Sequence, residues 1–151
     1  MMDTNQQRNI ALVISQFNLP ITSLMKAQAV DAFEDVFSPN DQLSIFEVPG
    51  AVELPFMQQE VILEHKVDGV IILGCVIQGE TDHYDYVCHM VSNGCLDVSL
   101  KHRVPMGFGV ITAPTFELAK ARCTDERSKA RETVQALYDL IQIQSRMKEH
   151  R

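Results

Sequence analysis

The sequence predicts a three-layer α/β domain built on a four-stranded parallel sheet, and three observations predict it. Four short runs rich in β-branched residues, Ile10–Ile14, Leu43–Val48, Val70–Cys75 and Met106–Thr112, read as strands. The intervals between them, roughly twenty to thirty residues each, have the length that a crossover helix between parallel strands requires. Val70-Ile71-Ile72-Leu73 is apolar without alternation, so this strand has no solvent face and belongs in the middle of a sheet covered on both sides.

The elements follow in the order βαβαβαβα. Pro39-Asn40-Asp41 is a turn ahead of the second strand, and Pro49-Gly50 closes that strand. After the fourth strand, Ala113-Pro114-Thr115 opens a short helix carrying Lys120 and Arg122, followed by the polar turn Thr124–Ser128 and Lys129. Val134, Leu137, Tyr138 and Ile141 then form one apolar stripe on a long terminal helix. The cations at its end, Arg146, Lys148 and Arg151, complement the helix dipole.

A length of 151 residues fits one domain with one well-buried core. The reading is a flexible N-terminal tail over residues 1–8 and a single domain over residues 9–151. With 46% hydrophobic and 22% charged residues and no low-complexity tract, a collagen, a coiled coil or a disordered chain is excluded. The formal charge of −7, with no basic stripe, argues against nucleic acid but leaves room for a small phosphorylated ligand held by one or two cations. The longest apolar stretch, Gly69–Ile77, falls well short of the roughly 20 residues of a membrane helix. The polar start of the chain lacks the pattern of a secretory signal, so a cytoplasmic protein is expected. Its four cysteines, Cys75, Cys88, Cys95 and Cys123, show no C-x-x-C pair and no zinc-site histidine spacing. They read as reduced, buried or half-buried thiols rather than metal ligands.

In open parallel sheets ligands sit beyond the carboxyl ends of the strands, and the candidate residues are sought there. After the first strand stands Phe17, either a platform for a planar ring or a loop aromatic closing over the core. After the second, Gly50 and Ala51 are small enough for close backbone approach, and Glu53 opens a helix, where a carboxylate also serves the dipole. After the third, Thr81 or Asp82 can cap a helix and leave the amides around Gly79–Thr81 to an anion. The loop matches neither the dinucleotide nor the Walker A pattern. His83, one or two residues into that helix, can exchange protons near neutrality. His65, His89, His102 and His150 lack such a place. Arg122 and Lys129 are solvated cations or phosphate partners.

The ordered blocks Phe17-Asn18, Val48–Pro55, Gly74–Thr81 with His83–Cys88, and Phe108–Thr112 closely resemble the lumazine synthase (6,7-dimethyl-8-ribityllumazine synthase) family, from about Ile10 to Leu140. The resemblance implies a flavodoxin-like sheet and the penultimate step of riboflavin biosynthesis. That step condenses 5-amino-6-(D-ribitylamino)uracil with 3,4-dihydroxy-2-butanone 4-phosphate, without a metal or organic cofactor. It also implies a homopentamer, in some members a shell of twelve pentamers, with sites between subunits. By resemblance Phe17 stacks on the pyrimidine, Ala51, Val52 and Glu53 meet the ribityl chain, and Val76 and Ile77 meet the heterocycle through their backbone. Glu80 and Thr81 match the phosphate loop, and His83 the proton-transfer histidine. Phe108 and Arg122 match an aromatic and a phosphate-binding arginine from the neighbouring subunit, and Lys129 the family's lysine. The chain departs from the family in Gln78 for a common arginine, in a turn before Lys129 about one residue shorter, and in Ser128 and Ala130 for asparagine and glycine. Pentamer, decamer and shell are all compatible with these departures. Two other functions fit the same fold: the archaeal type of riboflavin synthase, and a flavin- or lumazine-binding carrier or shell protein without turnover.

Overall fold

Strands whose side chains are apolar on both faces need cover on both, and this decides which strands are central. The computed structural model, which describes residues 7–80 and 82–150, places β1 (Asn9–Ser15) and β3 (Gly69–Ile77) at the centre. β2 (Gln42–Val48) and β4 (Met106–Ala113) form the edges of an all-parallel sheet in the order β2-β1-β3-β4. Every residue of β3 is buried, as its unbroken apolar run requires. The two-residue period divides the central strands between two cores. Ile10, Leu12 and Ile14 of β1 join Ile71 and Leu73 of β3 on one face, while Ala11 and Val13 join Val70 and Ile72 on the other.

The chain lays β2 on one side of β1, then β3 and β4 on the other. Right-handed crossovers therefore put α1 (Leu19–Val36) on one face and α2 (Leu54–His65) and α3 (Tyr84–His102) on the opposite one. Packing agrees: Ile21, Met25, Ala29 and Phe33 of α1 share a core with the C-terminal helix, whereas Leu54, Val61 and Ile62 of α2 pack with Val91 and Cys95 of α3. The result is the three-layer, flavodoxin-like arrangement expected. After β4 come the short α4 (Phe116–Ala121) and the long α5 (Lys129–Glu149). Arg122 lies just beyond α4 as its C-cap rather than within it.

Helix α5 carries the anticipated stripe: Val134, Leu137 and Ile141 are buried, and Tyr138 meets Phe37 edge-on at 5.2 Å. The helix packs directly against β4 where the strand presents glycine beneath it. A Cβ at Gly107 would stand 2.7 Å from the Thr133 carbonyl oxygen, and one at Gly109 would stand 2.4 Å from Thr133 Oγ1.

Residues 1–6 of the expected tail lie outside the described residues, as does Arg151. Arg8 is tied down: its N–H donates to Asp41 Oδ1 at 2.9 Å, and its carbonyl accepts from Gln42 N at 2.9 Å. Among the described residues no helix is long and apolar enough to cross a membrane, and no cluster of three or more His, Cys, Asp or Glu side chains could hold a metal ion. None of the four cysteines is in a disulfide; Cys75, Cys95 and Cys123 are buried and Cys88 is half-buried. Burial pushes the Cys88 and Cys123 thiols up, and Cys95 up to about 12.

Gly107→Ala should lower stability by about 1–3 kcal/mol, since the added methyl meets helix backbone rather than a movable side chain. A urea denaturation midpoint that does not move would show that α5 can lift without cost.

Candidate active site

A topological switch point arises where the connections leaving two adjacent strands go to opposite faces of the sheet. Here that point lies between β1, which leads into α1, and β3, which leads into α3. A pocket of about 140 Å³ opens there, lined by Phe17, Asn18, Ala51, Cys75, Val76, Ile77 and Val87. Four expected site residues, Phe17, Ala51, Val76 and Ile77, thus converge from three strand ends.

The strands create this opening by ending at different heights. β1 accompanies β3 only as far as Leu73, while β4 accompanies it through Ile77. The β1-facing backbone edge of Gly74–Ile77 therefore has no strand beside it, and its polar groups need other partners. One partner is Asn18, whose Nδ2 donates to the Cys75 carbonyl at 2.9 Å. Asn18 adopts a left-handed backbone, φ 65°, which asparagine tolerates better than most side chains. Its carbonyl starts α1 by accepting from Ile21 N and Thr22 N at 2.9 and 3.0 Å. Just ahead, Gln16 N donates to the Val48 carbonyl at 2.8 Å and Phe17 N to the Pro49 carbonyl at 3.0 Å. These bonds hold the Phe17 backbone at the mouth while its ring stays 61% exposed, which suits a stacking platform and not a core lid.

Beside this loop, Glu47 accepts from Gln16 Nε2 at 2.7 Å and pairs with Lys26. Hydrogen bonds from Lys26 and Gln16 hold its carboxyl below the ordinary value. After β2, Ala51–Glu53 forms a single 3₁₀ turn leading into α2. Ala51 is buried against the pocket, while Val52 and Glu53 are exposed. The Glu53 carboxylate folds back over Gly50, where a Cβ would lie 3.2 Å from Oε2.

The segment after β3 differs from expectation in detail. Gln78–Glu80 is a 3₁₀ turn, and α3 begins at Tyr84, so His83 is the N-cap residue and not one or two residues inside the helix. Tertiary anchoring sets this start: Tyr84 packs on the α2–α3 core, and its hydroxyl engages Thr112 at the end of β4. His83 is exposed, its ring 6.2 Å from that of Tyr86. It stands one helical turn ahead of Val87, a pocket-lining residue on the same side of the helix. Thr81 and the side chain of Glu80 lie outside the described residues.

Comparison with known proteins decides the family. The family model described as 6,7-dimethyl-8-ribityllumazine synthase matches residues 7–145. A 6,7-dimethyl-8-ribityllumazine synthase of Coxiella burnetii (strain RSA 493 / Nine Mile phase I) is 37% identical over 141 residues, 93% of each chain. One from Leuconostoc mesenteroides is 37% identical over 142 residues, covering 93% of this chain and 91% of the relative. One from Limosilactobacillus reuteri is 32% identical over 139 residues, covering 91% and 90%. The chain belongs to the 6,7-dimethyl-8-ribityllumazine synthase family.

Of the described residues assigned by resemblance to this family, Val52, Glu53, His83, Phe108, Arg122 and Lys129 are not among those lining the pocket of their own chain. Phe108 sits half-buried on edge strand β4 opposite Ile72. It is five positions before the strand end at Ala113, about 16 Å along the strand. Arg122 is exposed, and Lys129 begins α5, paired with Glu132 at 3.5 Å. The Lys129 N–H donates to the Arg122 carbonyl at 2.9 Å, so these two cations travel together. Conversely, Asn18, Cys75 and Val87 line the pocket and were not expected to. Asn18 directly after Phe17, as a polar residue opening a helix, was the available signal; Cys75 and Val87 gave none beyond burial.

Asn18→Ala should destabilise the chain by about 1–3 kcal/mol, combining left-handed strain with a lost hydrogen bond. Asn18→Gly should recover the backbone share. Equal denaturation midpoints for the two variants would mean that the left-handed turn contributes nothing.

Proposed function

We propose that this chain condenses 5-amino-6-(D-ribitylamino)uracil with 3,4-dihydroxy-2-butanone 4-phosphate to 6,7-dimethyl-8-ribityllumazine, releasing phosphate and water, in riboflavin biosynthesis. Family membership supports the reaction. One observation supports the site: residues remote in sequence, Phe17, Ala51, Val76 and Ile77, line a single pocket at the switch point. The family and its named relatives favour this synthase over the two alternatives, a riboflavin synthase and a carrier without turnover.

In this reading Phe17 stacks on the pyrimidine, and the open backbone edge at Val76 and Ile77 reads its polar rim. Ala51, Val52 and Glu53 take the ribityl chain. The pyrimidine's free amine attacks the ketone of the sugar phosphate, and loss of water gives an imine. Removal of a proton from the adjacent carbon expels phosphate with its C–O electron pair. After tautomerisation the ribityl-bearing nitrogen closes the ring on the remaining carbonyl, and a second water leaves. No metal or organic cofactor enters this sequence. His83 moves protons, and the backbone amides of the Glu80–Thr81 loop, with Arg122, hold the departing anion. Holding two reactants face to face supplies most of the acceleration, because it replaces a bimolecular encounter with an oriented one.

A pocket of about 140 Å³ is smaller than the roughly 300–1,000 Å³ that ligands of this size occupy. The reading therefore includes a homopentamer, or a multiple of it, in which Phe108 and Arg122 of a neighbouring subunit, with Lys129 beside Arg122, complete the site. Exposed apolar side chains on α2 and α3, among them Phe56, Leu63, Met90 and Leu100, offer surface for such contacts. The cytoplasm is the proposed location.

Mixing the purified protein with both substrates should produce lumazine absorbance and phosphate well above the uncatalysed rate; binding without acceleration would identify a carrier. His83→Ala should slow turnover by about 10²- to 10⁴-fold with native mass unchanged. Loss of assembly in that variant would make His83 structural. Arg122→Ala should raise KM for the sugar phosphate far more than for the pyrimidine, and equal losses would contradict its role. Native mass spectrometry should give a multiple of five chains.

A further inference from the structure

Neither the core nor the pocket explains one polar contact between α1 and the α4–α5 connection. Gln28, on α1, donates from Nε2 to the Cys123 carbonyl at 2.6 Å and accepts at Oε1 from Ser128 Oγ at 2.8 Å. Ser128 is buried and caps α5, its Oγ also accepting from Arg131 N at 3.2 Å. Just outside these anchor points the connection closes on itself through Lys129 N to the Arg122 carbonyl. A single amide thus grips both ends of the connection, next to Arg122 at one end and next to Lys129 at the other. The amide donates to the carbonyl and accepts from the hydroxyl at once; a carboxylate would lose the first bond and an aliphatic side chain would lose both.

We propose that Gln28 is a positioning residue for phosphate recognition, its amide holding the α4–α5 connection so that Arg122 is presented preformed to the phosphate. The proposal rests on the assignment of Arg122 as a phosphate-binding side chain. Without the brace, the connection must be ordered when substrate binds, and that cost falls on the phosphorylated substrate alone. Gln28 is distant in sequence from every strand end and touches no pocket-lining residue through these bonds, so it acts through Arg122 and not on the pyrimidine.

The test is steady-state kinetics on the assembled protein, varying each substrate in turn, for Gln28→Leu, Ser128→Ala, Arg122→Ala and the Gln28→Leu/Arg122→Ala double variant. Gln28→Leu should raise KM for the sugar phosphate roughly five- to tenfold, leave KM for the pyrimidine unchanged and move kcat by less than about twofold. Ser128→Ala, which removes one of the two bonds, should give a smaller rise in the same KM. In the Arg122→Ala background, Gln28→Leu should add nothing. Equal rises in both KM values, or a further loss in the double variant, would overturn the proposal. Should Gln28→Leu fail to assemble, Ser128→Ala carries the same readout, and an unchanged sugar-phosphate KM there would overturn it. If Arg122→Ala impairs sugar-phosphate use while Gln28→Leu does not, the brace fails and the functional reading stands. If Arg122→Ala has no effect, the assignment of Arg122 fails and takes the brace's role with it.

Discussion

The stagger between β1 and β3 governs the rest of the molecule. β3 must be buried along its whole length because it is apolar on both faces, yet its partner on one side stops at Leu73. A buried sheet cannot leave such an edge unpaired without a substantial penalty, so the last residues of β3 need partners that are not strands. Asn18 supplies one and shapes the turn that carries Phe17. In the proposed function the remaining edge meets the planar, hydrogen-bonding heterocycle. The architecture and the proposed recognition thus share one origin, a strand longer than the neighbour beside it.

The chemistry assigned to this site asks for placement more than for reactive side chains. An aromatic platform, a backbone edge, a loop at a helix start and a cation from elsewhere are all devices for holding. The loop that carries Phe17 is held by a local bond network, the Glu47–Gln16–Lys26 contacts beside it. Exposed ion pairs of this kind contribute little to global stability. Their effect here is local, restricting the loop from which the aromatic ring projects.

Much of this was legible in the sequence, for identifiable reasons. The strands were, because β-branched runs between turn residues leave few alternatives, and α5 was, because its stripe at Val134, Leu137 and Ile141 repeats with the helical period. Phe17, Ala51, Val76 and Ile77 were reachable from the strand-end rule, while their roles came from resemblance. The bond from Asn18 to Cys75 joins positions 57 apart, and no local spacing announces such a contact. His83 was displaced by one or two positions because Tyr84, anchored by burial and by Thr112, sets where α3 begins. Phe108, Arg122 and Lys129 were reached by resemblance alone, the first two as residues serving a neighbouring subunit, and none of the three lines the pocket of its own chain.

The three buried thiols give the molecule a set of internal reporters. Alkylating and oxidising reagents attack the thiolate, and burial keeps Cys95 and Cys123 protonated and shielded. Each can react only when its own region opens, so the labelling rate at each position times that opening separately. Cys95 reports on α3, Cys123 on the connection gripped by Gln28, and Cys75 on the pocket itself. The native protein can therefore be followed through partial openings without the addition of any foreign probe site.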